Sequence, residues 1–120
     1  MFDAMGTSFK VNSEKDIDKA TAVSGSGPAY LLTHLLHFIH AAKRIGFSNT
    51  RAKQLVLQTF YGTQALVAHE SNISKLIAQI ASKGGTTEAA LKVFDGAHLP
   101  VVWNVALERA FRRAEELSKK

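Results

Sequence analysis

The most constraining feature of this chain is a helical segment with almost no polar side. Residues 49 to 69 carry Leu55, Val56, Leu57, Phe60, Tyr61, Ala65, Leu66, Val67 and Ala68. At about 100° per residue these positions point nearly all the way round a helix. A helix apolar on nearly every side is one surrounded by protein. The helix before it, from about Pro28 to Ile45, is also unusually apolar. Its Leu31, Leu32, Leu35, Leu36, Phe38, Ile39, Ala42 and Ile45 fill about half the circumference, wider than the stripe of an ordinary surface helix. In 120 residues, about six helices rarely wrap one of their number completely. The pattern predicts an all-α helical bundle interlocked as a homodimer, in which a second copy completes the wall. The alternative is a monomer with this helix at its centre.

The punctuation between these segments sets the other elements. Ser13, with Asp16 after it, predicts a capped short helix through about Thr21. Ser24-Gly25-Ser26-Gly27-Pro28 reads as a flexible turn, with Pro28 at the first position of the next helix. Gly46 ends that helix as a left-handed cap. Ser48 or Asn49 caps the 49–69 helix, and Asn72 caps a short helix bearing Ile73, Leu76, Ile77 and Ile80. A further helix is expected from near Thr87 to Asp95-Gly96. The last begins near Pro100 and buries Val102, Trp103, Ala106, Leu107, Ala110, Ala114 and Leu117 on one face. Glu108 and Arg112 oppose each other on its other side. Residues 1–12 are short and mixed, with Phe9, Lys10 and Val11 expected as a brief strand. A leading strand without a partner reads as the severed end of something larger, so the helical domain is placed at 13–120.

Composition removes several function classes. Without cysteine there is neither a disulfide nor a thiolate metal site. No apolar run approaches the roughly 20 residues of a membrane span. The first residues lack the charged-then-apolar pattern of a signal peptide. A cytoplasmic protein that touches no membrane is expected. The net charge of +5 would suit nucleic acid, but most basic residues are scattered. The one cluster, Arg109, Arg112, Arg113, Lys119 and Lys120, is interleaved with Glu108, Glu115 and Glu116, so no nucleic-acid binding is expected. His34, His37 and His40 repeat at a spacing that swings each about 60° from the last. The three do not converge on one ion, and they read as solvated or interface histidines rather than metal ligands.

Two glycine segments remain. Gly25, Ser26 and Gly27 lead into a helix, where backbone N–H groups can meet an anion. A dinucleotide fingerprint needs a preceding strand and a further glycine where Tyr30 stands, so this is a turn that permits close packing. Ser82-Lys83-Gly84-Gly85-Thr86-Thr87 is the stronger candidate. Its adjacent glycines let backbone approach a ligand closely. The helix that follows aims its N–H groups and the positive end of its dipole at the same place. Ser82, Thr86 and Thr87 add hydroxyls. The combination suits a small carboxylate, although Gly-Gly-Thr-Thr is also an ordinary loop and helix cap.

Together the two segments resemble a known family. Thr21-Ala22-Val23-Ser24-Gly25-Ser26-Gly27-Pro28-Ala29-Tyr30 resembles the opening of the C-terminal domain of pyrroline-5-carboxylate reductases. Ser82 to Thr87, followed by Ala89-Ala90-Leu91, is similar to that family's signature loop, and the resemblance runs from about Phe2 to Leu117. It implies the reduction of 1-pyrroline-5-carboxylate to L-proline with NAD(P)H, the last step of proline biosynthesis. It also implies an N-terminal Rossmann half for the cofactor, and a helical half that dimerises and binds substrate at the dimer interface. By resemblance, Ser82 and the backbone around Gly84, Gly85 and Thr86 hold the substrate carboxylate. Thr87 is the catalytic residue and bonds the ring nitrogen, while Gly25, Ser26 and Gly27 lie near the nicotinamide. Residues 1–12 then read as the remnant of an interdomain linker. The chain alone is expected to bind no cofactor and to be inactive. Its expected partners are a second copy, the missing Rossmann domain or a full-length reductase. Lys83 stands where many members have proline, and Leu36 and His40 where many have acidic residues. These departures keep open a catalytically inactive, reductase-like helical dimer acting as an interaction module.

Overall fold

The computed structural model describes residues 6–119. The first part of the expected 1–12 linker, and Lys120 of the basic cluster, lie outside the described residues. Six α-helices occur among them. They are α1 (Glu14–Ala20), α2 (Gly27–Arg44), α3 (Asn49–His69), α4 (Ile73–Ile80), α5 (Thr86–Gly96) and α6 (Leu99–Ser118). Phe9 to Val11 do not form the expected strand: residues 7–12 carry no regular structure. A lone extended segment has no ladder in which to satisfy its backbone groups.

Local side chains explain most of the helix starts and stops. Ser13 Oγ accepts from the Asp16 N–H at 3.2 Å and caps α1. Ser48 accepts from the Arg51 N–H at 3.2 Å and Asn72 from the Lys75 N–H at 3.0 Å, capping α3 and α4. Gly46, at φ +117, ends α2 in the left-handed conformation. Its N–H reaches the Lys43 carbonyl at 3.0 Å, and that of Phe47 reaches Ala42 at 3.4 Å. Between α5 and α6 the left-handed residue is His98, φ 54, a residue type that tolerates this region better than most.

The expected flexible turn before α2 is instead largely helical. Thr21–Gly25 forms a π-helical turn, with the Ser26 N–H donating to the Thr21 carbonyl at 2.9 Å. Thr21 Oγ1 donates to the Ile17 carbonyl at 2.9 Å and Ser24 Oγ to the Ala20 carbonyl at 2.8 Å. Hydroxyls bonded to the carbonyl one turn back bend a helix without necessarily ending it. Widened turns of this kind occur frequently at functional sites.

The chain divides into two units, residues 1–29 with 101–120, and residues 30–100. In the first, Ala22 and Ala114 are buried, and Ser118 Oγ donates to the buried Asp18 carboxylate at 3.1 Å. That bond ties the end of α6 to α1. In the second, Ala52 and Val56 of α3 are buried, and α2 and α3 line an apolar groove of about 260 Å³ between Phe38, Ala42, Ile45 and Leu55.

The large side chains are mostly uncovered. On α2, Leu32 is 64% exposed and Phe38 52%. On α3, Leu55, Phe60, Tyr61, Leu66 and Val67 are all exposed, although the sequence marks this helix as surrounded. On α6, Trp103, Leu107 and Ala110 are half-buried, but Val102, Ala106 and Leu117 are exposed rather than buried. An apolar stripe marks a face that needs cover without saying which chain supplies it. Glu108 and Arg112 pair one turn apart on α6, as their spacing predicts.

Candidate functional site

The loop between α4 and α5 is a tight turn set on a helix start. The Gly85 N–H donates to the Ser82 carbonyl at 3.0 Å, closing Ser82-Lys83-Gly84-Gly85. Gly84 is the third residue, at φ +73, while Lys83 keeps a negative φ. This is the type II pattern, which favours glycine at the third position and proline at the second. Gly85 is needed for a different reason. A Cβ there would lie 2.4 Å from Ser82 Oγ and 3.1 Å from the Ser82 carbonyl oxygen. The two glycines therefore serve, respectively, a left-handed backbone and a close approach of Ser82.

Gly85 is also the N-cap of α5, and no side chain caps that end. The first-turn N–H groups, including those of Thr86 and Thr87, have no intrahelical acceptor at an α-helix start. Together with the helix dipole they make a region receptive to an anion. Thr87 is half-buried; Ser82 and Thr86 are exposed.

The loop is tied to its helix by Glu88, a residue the sequence reading passed over. Glu88 Oε2 accepts from the Gly84 N–H at 2.8 Å, and its Oε1 lies 2.7 Å from Lys92 Nζ. The Lys92 hydrogen bond first, and the Gly84 N–H second, hold the Glu88 carboxyl below its usual range against some desolvation. The available signal was a carboxylate three residues after the cap, the spacing at which such groups reach back to backbone N–H groups.

Ser82, Gly84, Gly85, Thr86 and Thr87 are thus gathered in one turn. Gly25 closes the π-helical turn and Gly27 opens α2, in the other unit. A Cβ at Gly25 would meet only Thr21 Cγ2 at 3.8 Å, and one at Gly27 nothing within 4 Å. Packing among the described residues does not demand glycine at either position. The strand–glycine–helix unit that cradles a dinucleotide is not found among the described residues. Leu36 and His40 are exposed on α2. His34 Nδ1 lies 2.8 Å from the Tyr30 carbonyl, and the His37 and His40 rings meet edge to face at 6.3 Å. No group of three potential metal ligands gathers among the described residues. None of the described helices is long and apolar enough to cross a membrane.

Fold and loop together define an all-helical domain with wide uncovered apolar faces and a glycine turn at a helix start. A family model described as pyrroline-5-carboxylate reductase dimerisation matches residues 14–117, and the chain belongs to that family. It is 35% identical over 120 residues to a pyrroline-5-carboxylate reductase of Pseudomonas aeruginosa, covering 99% of this chain and 44% of the relative. A crystal structure of 1-pyrroline-5-carboxylate reductase from Streptococcus pyogenes is similar, with a TM-score of 0.87 at 30% identity, over 95% of this chain and 44% of that one. The Plasmodium falciparum pyrroline carboxylate reductase with NADP bound gives a TM-score of 0.83 at 33% identity, over 88% and 40%. The chain spans less than half the length of these relatives.

Proposed function

We propose that this chain is the dimerisation and substrate-binding part of a cytoplasmic pyrroline-5-carboxylate reductase. The reaction is the reduction of 1-pyrroline-5-carboxylate to L-proline in proline biosynthesis. The observation that carries this reading is the Ser82–Thr87 turn on the start of α5, lying within the family-matched segment.

The substrate carboxylate takes the N–H groups of Thr86 and Thr87 and the Ser82 hydroxyl. The N–H groups of Gly84 and Gly85 are engaged inside the loop, so the glycines shape this receptor rather than donate to it. Thr87 Oγ1 bonds the ring nitrogen and orients the imine carbon. NAD(P)H, held outside the described residues, supplies the hydride. Positioning is the contribution of this chain. A second copy covers the exposed apolar residues of α2 and α3, giving a homodimer, and Gly25, Ser26 and Gly27 face the nicotinamide end. Lys83 in place of proline leaves the turn formed, which favours a working receptor over an inactive interaction module.

The test joins this chain to the nucleotide-binding half of the Pseudomonas aeruginosa relative and follows NADPH oxidation with 1-pyrroline-5-carboxylate. Turnover lost on Thr87→Val is the expected result. A hybrid that dimerises and binds NADPH but reduces nothing would overturn the reading in favour of the interaction module.

A further inference from the structure

We propose that Glu88 is the positioning residue of the Ser82–Thr87 turn and that Lys92 is its counter-ion, an inference that rests on the substrate reading above. The Gly84 N–H is a donor at the mouth of the turn, and a carboxylate of the same chain takes it at 2.8 Å. Glu88 sits on the first turn of α5, so this bond fastens the left-handed Gly84 to the helix that carries Thr86 and Thr87. Two consequences follow for a bound anion. It is denied the Gly84 N–H and must seat on the Thr86 and Thr87 end, which fixes where its ring lies relative to Thr87 Oγ1. It also meets a second carboxylate nearby, whose charge would repel it.

Lys92 answers that second problem. Its Nζ lies 2.7 Å from the other Glu88 oxygen. The Lys92 side chain is 72% exposed, so the pair adds little to stability. What it supplies is charge balance beside an anion receptor. Glu88 therefore has a geometric role that an uncharged acceptor can fill, and an electrostatic cost that Lys92 offsets.

The experiment is an L-proline titration of the full chain, followed by NMR at the backbone amides of residues 84–88, with amide exchange at Gly84 in the free protein. Glu88→Ala is expected to weaken L-proline about tenfold and to speed Gly84 exchange by a similar factor. Glu88→Gln keeps an acceptor oxygen and is expected to bind L-proline at least as tightly as the parent. Lys92→Met is expected to weaken binding at low salt, with the loss shrinking as salt is added and disappearing in the Glu88→Gln/Lys92→Met pair. Parental affinity and Gly84 exchange in Glu88→Ala would overturn the proposal. So would a Glu88→Gln protein weakened as much as Glu88→Ala. If the parent chain does not bind L-proline, the substrate reading falls. The Gly84 exchange rate in Glu88→Ala then decides alone whether Glu88 fastens the turn.

Discussion

At Gly84 the backbone sits at φ +73, where a Cβ is strained even with open space around it. Gly84→Ala should cost about 1 kcal/mol and loosen the turn, read by chemical denaturation. Lys83 occupies the position of this turn that prefers proline, and its φ is not positive. Lys83→Pro should therefore raise stability by about 0.4–1 kcal/mol, chiefly by restricting the unfolded chain. Thr87→Val should abolish L-proline binding while leaving the oligomer intact, since it removes one hydroxyl at nearly constant size; calorimetry on the variant decides this. Glu88 gives the turn a pH dependence. Its folded carboxyl lies below the ordinary value of 4.5, so its contribution is complete above that value and is lost as pH falls through the lower, folded one. The difference between the parent and Glu88→Gln, small because the Lys92 pair is exposed, should thus be constant at neutral pH and fade in acid, as denaturation at both pH values reads. The turn itself was legible in the sequence because two adjacent glycines ahead of Thr86 and Thr87 mark a left-handed turn running into a helix start. Glu88 was marked only by its spacing from the cap, and that spacing does not say whether a carboxylate bonds back, pairs or faces water.

Among the elements, the caps at Ser13, Ser48, Asn72 and Gly46 follow from the sequence because each acts through a hydrogen bond within its own turn. Ser48→Ala should lower stability by about 1 kcal/mol in a denaturant titration. The π-helical turn at Thr21–Gly25 was not readable. Glycine and serine are shared by turns and by widened helices, so composition alone does not separate the two. The lone strand over Phe9 to Val11 failed for the reverse reason, since local composition cannot supply a partner strand.

For the whole molecule, the apolar pattern of α2, α3 and α6 was legible in the sequence, but its cover was not. Periodicity places Leu32, Phe38, Leu66 and Val102 on faces that need burial, yet all four stand open in the single chain. Wide apolar helix faces are rarely left open on a soluble monomer. The most direct measurement is sedimentation equilibrium of the purified chain across a dilution series. Twice the chain mass, persisting on dilution, is the predicted result. A single-chain mass in a protein that keeps its helical circular dichroism would contradict the account.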